Sequence, residues 1–150
     1  MKQMDGLFKL VVWLIALFFI VFYPMLISMY VFLPLFVGTM GYMFIVGIEQ
    51  GKLHYMLLVL LYIINLEANL SLPFFMIFIA ILLVYVLFYQ GLKSFRNCMI
   101  CRPVMTVFLV DVVYLFSLLF YDFLFQTQSI VLDSILLYSL LIDLLLVVIL

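Results

Sequence analysis

Cysteine and histidine are the side chains that most readily take part in chemistry, and both are scarce in this sequence. Cys98-Met-Ile-Cys101 is a C-x-x-C motif, and His54 is the single histidine. A C-x-x-C indicates a metal site when a second pair accompanies it, or a redox site in a strand-to-helix turn. Neither context is present, so we expect two free thiols. A single histidine also excludes a haem held by two histidines of this chain, and we predict no cofactor and no metal.

Two aspartates stand inside long apolar segments. Asp111 follows the start of the segment 104–125, and Asp143 precedes the end of the segment 130–150 by a similar distance. In antiparallel helices, both carboxyl groups would lie roughly 10 Å from the same end. An ionisable group inside a bilayer costs about 3 kcal/mol and usually faces protein, a cavity or a partner. Two interpretations stay open: a proton or cation site, or a polar layer neutralised by protonation or by long cationic side chains nearby.

The composition places these residues in a membrane rather than in a soluble domain. The chain has 150 residues, of which 72% are hydrophobic and 9% are charged, whereas soluble domains are roughly half apolar and about a quarter charged. A spanning helix takes about 20 residues, so six helices would leave no room for a catalytic domain outside the membrane. The net charge of −1 gives no sign of nucleic-acid binding. We therefore predict one all-α membrane domain over residues 1–150, a non-enzymatic bundle of six transmembrane helices.

Prolines and polar turns predict where these helices lie. Proline disfavours helical geometry in the residue before it, so we place an outer turn at Tyr23-Pro24. A single helix over 7–48 would be about 60 Å long, which is too long for one crossing. Within the second helix, Pro34, Gly38 and Gly41 permit a kink or a break. The predicted helices are 7–23, 25–48, 53–66, 74–89, 104–125 and 130–150.

The cations predict the orientation of the chain. Lys93, Arg96 and Arg102 lie in one short loop between apolar segments, which is typical of a cytoplasmic anchor because such residues stay on that side during insertion. If the N-terminus is also inside, alternate crossings place all six Lys and Arg residues on the cytoplasmic side. We therefore predict a multi-pass protein of the bacterial inner membrane with both termini cytoplasmic.

The predicted outer segment 65–73 is polar and contains no cation. It carries Asn65, Glu67 and Asn69. Three roles are open for Glu67: it could cap the following helix, contact a partner, or be solvated. We assign these three residues tentatively to partner binding, the partners being other membrane proteins and the surrounding lipid.

The layout of the chain resembles the rod-shape-determining membrane protein family MreD. Leu66-Glu-Ala-Asn-Leu-Ser-Leu-Pro-Phe74 is similar to the acidic motif that follows a middle helix in that family, and Leu137-Tyr-Ser-Leu-Leu-Ile-Asp143 is similar to its last helix. The resemblance implies a fold related to the substrate-binding subunits of energy-coupling-factor transporters. It also implies a scaffold of the cell-elongation complex, with an MreC-like partner and the elongation synthase, and no catalysis.

Two other functions are compatible with the sequence. The chain could be the small-molecule-binding subunit of a membrane transporter. It could also be a subunit of an ion-translocating or respiratory complex, with Asp111 and Asp143 on the proton path.

Overall fold

The computed structural model describes residues 2–30, 33–94, 97–126 and 134–149. Within these ranges the chain is all-helical, which confirms the all-α part of the prediction. The helices are α1 (Lys2–Met29), α2 (Val37–Gln50), α3 (Leu53–Asn69), α4 (Met76–Ser94), α5 (Cys101–Phe125) and α6 (Ser134–Ile149).

Two segments have the length and composition of a membrane span. They are Asp5–Met29, within α1, and Cys101–Phe125, which is α5. Leu53–Asn69, Met76–Phe88 and Ile135–Ile149 are apolar but shorter. By themselves, two such helices are a weak indication of a membrane protein, because a soluble core helix and a signal segment share these properties.

The first connection differs from the prediction. Pro24 lies inside α1, so the predicted turn at Tyr23-Pro24 is wrong, and the chain leaves the helix only after Met29. A proline inside a helix removes one backbone hydrogen bond, and in an apolar environment neighbouring groups often compensate for that loss. The break lies around Pro34 instead, and it ends at Phe36, whose φ of 52° is left-handed.

The short helix α2 lies at the centre of the bundle. It packs against α3, α4, α5 and α6, whereas α1 packs against α3 alone among the described helices. Two glycines let α5 approach α2 closely. A Cβ atom at Gly38 would lie 2.6 Å from Asp111 Oδ2, and one at Gly41 would lie 2.7 Å from Val110 Cγ1.

One ion pair joins two connections at the same end of the bundle. Arg102, at the start of α5, donates a hydrogen bond to Glu49, at the end of α2. The α2–α3 turn and the α4–α5 loop therefore lie together. Lys93 is exposed near the end of α4, while Arg96 lies outside the described residues.

The same loop contains the cysteines, and the prediction of free thiols is wrong. Cys98 and Cys101 form a disulfide, with Cα atoms 5.3 Å apart. The turn before α5 thus brings the two residues within the distance that a disulfide spans.

Candidate functional site

Three helices hold the break between α1 and α2 inside the bundle. Tyr23 of α1 donates its hydroxyl to Pro34 O at 2.8 Å, and Tyr62 of α3 donates its hydroxyl to Leu35 O at 2.8 Å. The Leu35 N–H donates to Ser139 Oγ of α6 at 3.1 Å. These bonds pair backbone groups that a non-helical segment would otherwise leave unsatisfied in an apolar interior.

Asp143 of α6 caps the N-terminus of α2. Its Oδ2 accepts the Gly38 N–H at 2.9 Å, and its Oδ1 accepts the Thr39 hydroxyl at 3.4 Å. The first N–H groups of a helix have no partner within the helix, and that end carries the positive pole of the helix dipole. A carboxylate there satisfies both demands, and Asp143 is fully buried.

Asp111 approaches the same residue from α5. Its side chain is buried, and its Oδ2 has no hydrogen-bond partner in the part of the chain that the structure describes. That oxygen faces Gly38, where a Cβ would lie only 2.6 Å away. The structure therefore brings Asp111 and Asp143 together at Gly38, where both face protein.

Asn65, Glu67 and Asn69 bond within the chain. Glu67 is fully buried and accepts the Phe75 N–H at 2.7 Å and the Ile77 N–H at 3.0 Å. It thus caps α4, which is the first of the three roles left open, and it offers no surface to a partner. Asn65 donates to Val21 O of α1 at 2.8 Å, and Asn69 donates to Asn65 Oδ1 at 2.7 Å.

A groove opens along α2 between α1 and α6, which do not pack against each other in the described part. Its volume is about 720 Å³. It extends from Phe19 and Thr39 to Met99 of the α4–α5 loop and Pro103 in the first turn of α5, with the end of α6 on one side. An apolar pocket of about 290 Å³ between α1, α2 and α3 adjoins it through Phe19, Met40 and Met43. We call the two together the α2 groove.

Groups for chemistry are not assembled in this fold. Among the described residues, no three His, Cys, Asp or Glu side chains cluster as metal ligands. His54 packs edge-on against Trp13, with ring centroids 5.3 Å apart.

Sequence reasoning missed the residues that hold the break. Ser139 and Asp143 are four positions apart on α6, so they share a helix face, and that spacing was a usable signal. Pro34, Gly38 and Gly41 did predict a kink or a break in this segment, and the structure has a break before α2; the close contact of the two glycines with α5 was not predicted. Tyr62 carries no such signal, because tyrosines are frequent throughout this chain.

Comparisons with protein-family models, with curated proteins and with solved structures give no match.

Proposed function

We propose that this chain is a multi-pass membrane protein that acts as a binding subunit of a larger membrane complex and catalyses no reaction itself. The α2 groove is the observation that carries this proposal. The groove is large, mostly apolar and open between α1 and α6, which do not pack against each other in the described part of the chain. Most polar side chains in the core are engaged in hydrogen bonds that hold the fold.

The exposed faces support a membrane location. Only 22% of the α1 span and 33% of the α5 span are buried, so neither helix is enclosed as in a soluble core. Large apolar side chains cover the outside, among them Phe8 of α1 and Phe116 of α5. Soluble monomers rarely expose continuous apolar patches above a few hundred Å², whereas lipid solvates such a surface.

Six crossings follow if α2 is the helical part of a broken span. At 14 residues, α2 is about 21 Å long, shorter than the roughly 30 Å hydrocarbon core. The segment 33–36, hydrogen-bonded inside the bundle, extends this crossing. Non-helical backbone at membrane depth is tolerated where protein surrounds it.

The cations favour a cytoplasmic location for the α2–α3 turn and the α4–α5 loop. Lys52, Lys93 and Arg102 lie at this end of the bundle, and so does the disulfide. The disulfide favours the opposite orientation, because cytosolic thiols are kept reduced. We give the cations greater weight because they occur in both connections, and both termini are then cytoplasmic.

Labelling of single cysteines tests this orientation. In a chain with Cys98→Ser and Cys101→Ser, we expect a membrane-impermeant maleimide to react with Phe74→Cys in intact cells. Ser94→Cys, at the other end of α4, should react only after the membrane is opened. Labelling of Ser94→Cys in intact cells would invert the proposed topology.

The occupant that we propose for the α2 groove is a transmembrane helix of a partner protein. Helices associate in a bilayer through close fit and polar contacts rather than through the hydrophobic effect. The groove offers the depth for such a fit, with the Thr39 hydroxyl in its wall. The resemblance to the MreD family makes the cell-elongation complex of the inner membrane the specific proposal, with an MreC-like protein and the elongation synthase as partners.

Site-specific photo-crosslinking tests the groove. A photoreactive amino acid at Met43, in the groove, should capture a protein of defined mass in the native membrane. The same probe at Phe116, on the outer face of α5, is the matched control and should capture lipid only. Met40→Trp should fill the groove and reduce the Met43 adduct. Identical adducts from both positions would contradict the proposal, and capture of proteins unrelated to cell elongation would reject the specific complex.

A small amphipathic molecule is the second candidate occupant. The groove volume of about 720 Å³ lies within the roughly 300–1,000 Å³ of ligand pockets. A transporter-type binding subunit would retain such a molecule after purification in mild detergent, and native mass spectrometry would detect it. Met40→Trp should then abolish the bound mass.

A further inference from the structure

The buried carboxyl groups at Gly38 carry an inference about a proton-binding site. The site itself does not depend on what occupies the α2 groove, whereas its route to water runs along the open end of that groove. We propose that Asp111 and Asp143 form a proton-binding site, in which Asp111 holds one proton and Asp143 is the carboxylate that caps α2.

The two carboxyl groups have different surroundings. Asp143 accepts hydrogen bonds from the Gly38 N–H and from the Thr39 hydroxyl, and it faces the positive end of the α2 dipole. Asp111 is 4% exposed, and its Oδ2 has no partner among the described residues. It lies in the middle of α5, where the backbone N–H groups are already used within the helix. The Gly38 N–H also faces Asp111, but its hydrogen bond goes to Asp143 Oδ2, so a negative charge is better supported on Asp143 than on Asp111.

Cations do not offset these charges in the described part of the bundle. The titratable groups near the pair are Tyr23 from α1 and Tyr62 from α3, whose hydroxyl groups donate to Pro34 O and Leu35 O. On α5 itself, the next inward-facing polar group is Tyr114, whose hydroxyl also has no partner there and which faces Glu67. The polar groups of α2 that face Asp143 are the Gly38 N–H and the Thr39 hydroxyl.

The remaining neighbours are apolar or distant. α4 packs against α5 with buried apolar residues such as Ile81 and Val84. Arg102 is engaged with Glu49 at the end of the bundle. Two like charges buried side by side repel each other strongly, and retention of one proton relieves that repulsion.

The α2 groove gives this site a route to water. Thr39 lines the groove, and its Oγ1 lies 3.4 Å from Asp143 Oδ1. The groove continues to Met99 and Pro103 at the end of the bundle where the α4–α5 loop lies. A proton given up by hydronium there reaches the carboxyl pair through the Thr39 hydroxyl and Asp143, and it returns by the same path. The site therefore binds protons from one side of the membrane.

Infrared spectroscopy in lipid nanodiscs tests the assignment. At neutral pH we expect the C=O band of a protonated carboxyl group, which shifts in D₂O and fades as the pH is raised. Asp111→Asn should remove this band and leave the protein folded, because the amide is a neutral group of the same shape. Asp143→Asn should keep the band but lower the melting temperature, because α2 loses its charged cap.

The outcomes separate the alternatives. A band that persists in Asp111→Asn, or one that disappears only in Asp143→Asn, would overturn the assignment. If Asp143→Asn does not fold, Asp111→Asn decides alone.

Deuterium exchange tests the route. Thr39→Val should keep the band and slow its shift after transfer into D₂O. Thr106→Val, which removes another buried hydroxyl of the core, is the control and should exchange as the parent protein does. Equal exchange in both variants would overturn the route through Thr39.

Discussion

Glu67→Ala should lower the free energy of unfolding by about 2–4 kcal/mol. Glu67 accepts two backbone N–H groups at the start of α4, from Phe75 and Ile77. Loss of a helix cap costs about 1 kcal/mol, and the buried Ile77 N–H left without a partner costs a further 1–3 kcal/mol or so. Water does not readily replace the carboxylate, because its side chain is fully buried. Reversible unfolding in mixed micelles, with increasing SDS, measures the change.

Two matched variants separate this cap from a partner site. Glu67→Gln keeps one carbonyl acceptor and should cost less than half as much. Asn69→Ala removes a half-buried amide that bonds only to Asn65, and it should cost below about 1 kcal/mol. If Glu67→Ala leaves unfolding unchanged but abolishes recovery of a partner, Glu67 acts in binding and not as a cap.

Much of the helical layout could be predicted because it depends on local sequence. The third, fourth and fifth apolar segments, bounded by polar turns, correspond to α3, α4 and α5 within a few residues. The shared depth of Asp111 and Asp143 followed from the antiparallel direction of two neighbouring helices. Such features need only periodicity, length and the cost of burying a charge.

The position of the first break could not be predicted locally. Pro24 and Pro34 both stand in apolar sequence, and each could end a helix. Side chains far along the chain decide which of the two prolines ends the helix. Tyr62 and Ser139 lie 27 and 104 residues from Leu35, which they bind. These bonds pair the backbone around Pro34. At Pro24 the Asn65 amide of α3 donates instead to Val21 O at 2.8 Å and to Ile20 O at 3.5 Å, the second of which is the carbonyl that the proline leaves without its helical donor, and the helix continues.

The role of Glu67 was open for a similar reason. A carboxylate between two asparagines before a proline is typical of a solvated loop and of a helix cap alike. Three non-glycine residues near the cap or the break, Phe36, Ser71 and Phe75, have positive φ angles. Such strained turns fold the chain back onto Glu67 and Asp143. The sequence has no glycine at these three positions, so it gives no local sign of the positive φ angles.

Gly38→Ala should destabilise the protein, although alanine favours helices. In an open helical position the change from glycine to alanine stabilises by about 1 kcal/mol. At Gly38, however, the new Cβ would lie 2.6 Å from Asp111 Oδ2 and 2.7 Å from Val107 Cγ1. These are atoms of a buried seam between α2 and α5, so relief requires the two helices to separate. Overpacking of this kind costs about 1–3 kcal/mol, and separation would also weaken the bond between the Gly38 N–H and Asp143.

Gly91→Ala is the matched control, because nothing lies within 4 Å of the position of its Cβ in α4. It should be neutral or slightly stabilising in the same unfolding titration. Adding Val107→Ala to Gly38→Ala removes one of the two close contacts, so the double variant should be more stable than the sum of the single changes predicts. If Gly38→Ala behaves as Gly91→Ala does, α5 does not approach α2 this closely. Asp111 would then have room for water at Gly38, and its carboxyl group would no longer need to hold a proton.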